Sequence, residues 1–141
     1  MPRVVPVAVR AGFAKGESYD LVTGWDVNDE KAVKELWSHL RQARPFCVIM
    51  SPPCTKLSIM QQCTPMDKRV DATQFRADVR WSESLVDLSV EIAAFQLQGG
   101  CHFVFEAPPR SRGHQTRSMR ALRETPGVHI GTASGCEFGL I

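Results

Sequence analysis

The chain has 141 residues, 43% of them hydrophobic, and a formal net charge of +2. That length suits one domain with a core needing no staples, and the near-neutral balance excludes a surface that is polyanion-binding all over. Five cysteines (Cys47, Cys54, Cys63, Cys101, Cys136) make an odd number for a disulfide framework. With no signal peptide and no apolar run of membrane-spanning length, the expectation is a reducing, intracellular compartment and no membrane partner.

Residues 1–18 read as an N-terminal arm or remnant strand, because the apolar run Val4–Val9 is interrupted by Pro6. Residues 19–141 read as an α/β domain. Tyr19–Thr23 is its first strand candidate, ending at Gly24 with Asp26 just beyond. Asn28 is placed to cap a helix, with Asp29 and Glu30 in the first turn where the helix dipole favours acid. Val33, Leu36, Trp37 and Leu40 give that helix its apolar stripe, and Pro45 stops it.

Phe46–Met50 is a second, buried strand that ends at Ser51-Pro52-Pro53. Prolines lack the N–H a ladder needs and keep the preceding residue out of the α region, so this strand ends in a stiff turn presenting Cys54. Gln61–Asp71 reads as a loop. A long helix then spans roughly Thr73 to Gln98, with Val79, Leu85, Leu88, Ile92 and Phe95 facing the core and Gly99-Gly100 closing it. His102–Phe105 is a third buried strand, running into Glu106 and a second proline pair, Pro108-Pro109. Thr116–Glu124 reads as helix, Val128–Ile130 as a fourth strand candidate, and Cys136–Ile141 as an apolar end. Strands alternating with helices imply an open, mostly parallel sheet with flanking helices.

Ligands of such sheets bind beyond the carboxyl ends of the strands, which is where Cys54 and Glu106 fall. Cys54 is either a small buried hydrophobe or a nucleophile able to attack an electron-poor carbon. Glu106 is either solvated at the cleft mouth or held to polarise a ring opposite that nucleophile. Asp26 suits a cofactor's ribose or adenine as well as it suits the cap of the next helix. From Ala107 to Arg123 there are five arginines (Arg110, Arg112, Arg117, Arg120, Arg123) and no acid. Such a run contacts phosphates or forms an ordinary charged face. The cysteines and histidines lack zinc-site spacing, and no glycine-rich nucleotide loop is present, so no metal is expected.

Ser51-Pro52-Pro53-Cys54-Thr55-Lys56-Leu57-Ser58 resembles the Gly-Pro-Pro-Cys-Gln-x-Phe-Ser motif of DNA (cytosine-5) methyltransferases. Glu106 falls where that family has the glutamate of Glu-Asn-Val, with Ala107-Pro108 in place of Asn-Val. Gly24-Trp25-Asp26 loosely matches the Gly-Asp segment lining the family's cofactor pocket, and Gly135-Cys136-Glu137-Phe138-Gly139 resembles its Asp-Tyr-Gly. The chain is also similar to methyltransferase-like open reading frames of unicellular algae, some in retroelement polyproteins, which share Asp-Leu-x-x-Gly-Trp-Asp, Ser-Pro-Pro-Cys-Thr and Glu-x-Pro.

The resemblance covers about Tyr19 to Leu140. It implies part of a Rossmann-like methyltransferase fold that moves a methyl group from S-adenosylmethionine to C5 of cytosine. Cys54 would be the nucleophile and Glu106 the group gripping the base edge. Asp26, Ser51 and Pro53 would line the cofactor site, and Ser58, Arg110, Arg112 and Arg117 would contact nucleic acid. DNA is the implied partner, RNA the alternative, and the nucleus the implied place of a DNA-acting enzyme. Amino methylation of adenine or cytosine is less suited, because Cys54 stands where those enzymes have a stacking aromatic. The Asp-x-Phe-x-Gly-x-Gly-Gly motif and a target-recognition domain are missing from the sequence. The expectation is thus a domain truncated at both ends, with another polypeptide or a missing domain supplying target recognition. The alternative is an inactive nucleic-acid-binding or remnant domain.

Overall fold

A computed structural model describes residues 4–63, 68 and 71–134, divided into a unit up to Phe46 and a unit from Cys47 onward. The apolar end Cys136–Ile141 and the Gly135–Gly139 motif lie outside the described residues, as does most of the segment 64–70.

In the first unit the strand or arm expected at Val4–Val9 is instead a helix, α1 (Val4–Arg10). Pro6 sits in its first turn, where the missing N–H has no helical partner to lose. Gly12 ends it in the left-handed region (φ 92°), with the Phe13 N–H donating to the Ala8 carbonyl at 3.0 Å.

The strand expected at Tyr19–Thr23 is likewise absent. Leu21–Thr23 forms a single 3₁₀ turn that Asp20 caps. The Asp20 carboxylate accepts from Val22 N–H at 2.9 Å, and Asp20 N–H donates to the Thr23 hydroxyl at 3.1 Å. These local bonds offer the backbone an alternative to a ladder, and Leu21 and Val22 stay 71% and 73% exposed. Tyr19 meets Trp25 edge-on at 4.7 Å and His39 at 5.8 Å. Burial, and then the charge of Glu17, push its phenol above the usual tyrosine range.

Helix α2 (Glu30–Ala43) follows, capped by Asp29 rather than Asn28, through a 2.9 Å bond from the Lys31 N–H. Leu36 and Leu40 are its buried residues. Arg44 closes it in the left-handed region (φ 42°) just before Pro45.

The second unit is built on β1 (Cys47–Met50) and β2 (His102–Phe105), which pair in parallel with Cys47 opposite His102 and Met50 opposite Phe105. Between them run a 3₁₀ turn (Thr55–Leu57), the short helix α3 (Ile59–Gln62) and the 27-residue helix α4 (Ala72–Gln98). Asp71 caps α4 by accepting from the Gln74 N–H at 2.8 Å. A second 3₁₀ turn (Arg112–Gln115) and α5 (Arg117–Arg123) follow β2, with Thr116 capping α5. The fold is therefore mixed, a small two-stranded parallel sheet with flanking helices.

Helix α4 contacts both strands, both of these 3₁₀ turns and α5. Its buried seam is Val79, Ser82, Leu85, Val86, Ser89, Ile92, Ala93 and Gln96. The expected stripe is rotated, leaving Leu88 and Phe95 half-buried. Serines take the seam because each hydroxyl bonds back within the helix, Ser82 to the Asp78 carbonyl at 2.9 Å and Ser89 to that of Leu85 at 2.8 Å. Gln96 pins the start of β2, its amide donating to the His102 carbonyl at 2.9 Å.

The two strands are buried on one face only, correcting the expectation of fully buried strands. Met50 is buried and Phe105 half-buried, while their neighbours Ile49 and Val104 are 49% and 48% exposed. Alternate side chains of a strand point to opposite faces. Val128–Ile130 forms no strand; Val128 N–H closes a turn onto the Thr125 carbonyl, and Ile130 is exposed.

Candidate functional site at the strand ends

The parallel register carries on for one step past the strands. Glu106 N–H donates to the Met50 carbonyl at 2.9 Å, bringing Glu106 beside Ser51. The Ser51 hydroxyl donates to Glu106 Oε2 at 3.0 Å, a contact between residues 55 apart in sequence. Both side chains are exposed.

From Ser51 the proline pair leads into Cys54, which is half-buried and stands at the head of the Thr55–Leu57 turn. Its carbonyl accepts from the Leu57 N–H at 2.9 Å. Leu57, 1% exposed, anchors the turn in the core. Lys56 is turned toward α4, its ammonium 3.1 Å from Asp78 Oδ2 and 5.7 Å from the Phe75 ring centre. Ser58 accepts from the Gln61 N–H at 3.4 Å and so caps α3. Cys47 is partly withdrawn from water, and that burial raises its thiol above the ordinary range.

The loop after Glu106 is held in place by contacts with no advance signal in the sequence. His114 Nε2 donates to the Pro108 carbonyl at 3.0 Å, and its ring meets Phe105 edge-on at 6.2 Å. Ser111 accepts from the Gly113 N–H at 3.2 Å. Gly113 is buried where an added Cβ would lie 3.2 Å from Val86 Cγ2 and 3.4 Å from Leu57 Cδ1. Leu57 belongs to the cysteine-bearing turn and Gly113 to the glutamate-bearing loop, so the two loops come close together at this glycine.

The remaining candidates are placed as follows. Arg112 pairs with Glu83 of α4 at 3.4 Å. Arg117 borders a hollow between α4 and α5 whose walls include Glu83, Asp87 and Glu91. There the Ser118 hydroxyl donates to Asp87. The arginine run, free of acids in sequence, therefore has carboxylates beside part of it in space. Arg110, Arg120 and Arg123 are exposed.

Asp26 belongs to the first unit and Ser51 and Pro53 to the second. Asp26 Oδ1 accepts both from the Asn28 N–H at 2.9 Å and from the Asn28 amide at 2.8 Å. That Asp26 oxygen closes a local turn, and the Ser51 hydroxyl is bonded to Glu106. Among the described residues no group of three or more His, Cys, Asp or Glu is arranged to hold a metal ion. No described helix is long and apolar enough to cross a membrane. No family model, curated protein or solved structure matches the chain.

Proposed function

We propose that the second unit is a base-modifying module of the DNA (cytosine-5) methyltransferase type, with β1, α4 and β2 forming one β–α–β part of a Rossmann-like fold. One observation carries this reading: the Ser51–Glu106 hydrogen bond joins the loop that bears the half-buried Cys54 to the loop that bears a carboxylate.

A thiolate and a carboxyl side chain in neighbouring strand-end loops suit addition to a pyrimidine. The base is first turned out of the duplex, at a cost of a few kcal/mol. Cys54 loses its proton to solvent and its sulfur bonds to C6, so the C5=C6 π pair shifts onto C5, delocalised through C4 to N3, and C5 becomes nucleophilic. Glu106 lies along the N3 and N4 edge, where contact stabilises the charge that addition creates. The methyl donor implied by the family resemblance is S-adenosylmethionine. The C5 proton then passes to solvent water, its electron pair re-forms the C5=C6 bond, and the sulfur leaves as thiolate.

DNA carrying 5-azacytosine tests the addition without any methyl donor. The sulfur bonds to C6, the C6=N5 π pair moves to N5, and N5 takes a proton from water. Intact mass should show a one-to-one protein–DNA adduct that Cys54→Ala abolishes. Parallel samples with ordinary cytosine and S-adenosylmethionine read methyl transfer separately.

A second reading, a non-catalytic nucleic-acid-binding domain, is favoured by the exposure of Arg110, Arg117, Arg120 and Arg123. Salt-dependent binding of DNA or RNA that Cys54→Ala leaves unchanged, with no adduct, would select it. A second polypeptide that supplies target recognition would appear as tighter, sequence-selective binding when added.

A further inference from the structure

We infer that Ser51 is a positioning residue for Glu106, an inference that rests on the thiol-addition reading above. Neither Pro52 nor Pro53 has an N–H, and neither has Pro108 nor Pro109, so these residues cannot extend the ladder beyond the strand ends. At that point the Glu106 backbone is tied to the Met50 carbonyl at 2.9 Å and its Oε2 to the Ser51 hydroxyl at 3.0 Å. One carboxylate oxygen is thereby fixed, and Oε1 is the oxygen presented to a ligand. Ser51 is also the residue from which the rigid proline pair departs toward Cys54. Its hydroxyl therefore sets the carboxylate relative to the loop carrying the sulfur.

Backbone geometry alone leaves a glutamate three rotatable side-chain bonds. The hydroxyl removes much of that freedom before a base arrives, and prior alignment of reacting groups is where such a contact gains rate.

The test uses the full chain and duplex DNA carrying one 5-azacytosine, with adduct formation followed by intact mass. Ser51→Ala should slow the reaction by about tenfold, whereas Ser51→Thr, which keeps a hydroxyl, should stay within about twofold. The rate at which iodoacetamide alkylates Cys54, read by peptide mass, should be the same in all three proteins, since that reaction needs no carboxylate. In a Glu106→Ala background, Ser51→Ala should have no further effect; this comparison remains informative if single variants differ in stability. Wild-type adduct formation matched by Ser51→Ala would overturn the role of Ser51 and leave the thiol chemistry standing. Equal slowing by Ala and Thr, or undiminished slowing in the Glu106→Ala background, would also overturn it. A wild-type protein that iodoacetamide modifies at Cys54 but that forms no DNA adduct would overturn both.

Discussion

The stretch before Phe46 and the stretch after it hold their shape in different ways. At Leu21–Thr23 the backbone is fixed by neighbours within five residues, Asp20, Thr23 and Ser18, while Leu21 and Val22 remain in water. At Thr55–Leu57 a turn of the same length is fixed from far away in sequence. Leu57 is enclosed near Gly113, Lys56 reaches Asp78, and α4 contacts the turn. Polar side chains that bond locally can set a conformation without a core. The turn after Cys54 instead has the core beneath it, through Leu57.

Four substitutions bear on that contrast, in order of expected effect. Leu57→Ala should be the most damaging, at about 2–5 kcal/mol by urea unfolding, because a filled site becomes a cavity. A loss as small as that of a surface turn residue would erase the distinction. Gly113→Ala should cost about 1 kcal/mol, since its Cβ would lie 3.2 Å from Val86 Cγ2 and 3.3 Å from Ser111 Oγ, each of which must give by a few tenths of an ångström. The same change should alter the Cys54 environment, visible as a chemical-shift change at residues 54–58.

Asp20→Ala removes a local cap and should cost about 1 kcal/mol or less. Hydrogen exchange should quicken at Val22 and Thr23 while the amides of α4 keep their protection. The smallest effect belongs to Asp78→Asn, and it depends on pH. The Gln74 amide at 2.7 Å, and then Lys56, hold the Asp78 carboxyl below its usual range. A depressed folded-state pKa adds stability that is present above the unfolded value and lost as pH falls through the folded one. Wild type should therefore exceed Asp78→Asn in melting temperature at neutral pH, with the gap closing below about pH 4. A gap that widened on acidification would contradict the assignment.

The contrast also explains what the sequence disclosed. Helices α2 and α4 and the strands before Ser51 and Glu106 were legible because apolar spacing reports burial, and proline and glycine mark the ends. Val4–Val9 misleads because valine-rich runs resemble strands, while Pro6 falls where a helix tolerates it. Tyr19–Thr23 misleads because Asp20 and Thr23 close a turn within an apolar-looking segment. Cys54 and Glu106 could be singled out as strand-end residues, and their loops do lie at the same end of the parallel pair. The bond from Ser51 to Glu106 and the seat of Gly113 near Leu57 could not be read, since each joins residues more than 50 positions apart. The carboxylates beside the arginine run were hidden too, being supplied by α4 from an earlier part of the sequence.

Two strand-end loops acting as one site is the central claim, and duplex DNA with a single 5-azacytosine tests it most directly. Wild-type protein should form a one-to-one covalent adduct, with Cys54→Ala forming none and Glu106→Ala forming it more slowly. Absence of any adduct, or the same adduct from the Cys54→Ala protein, would contradict it.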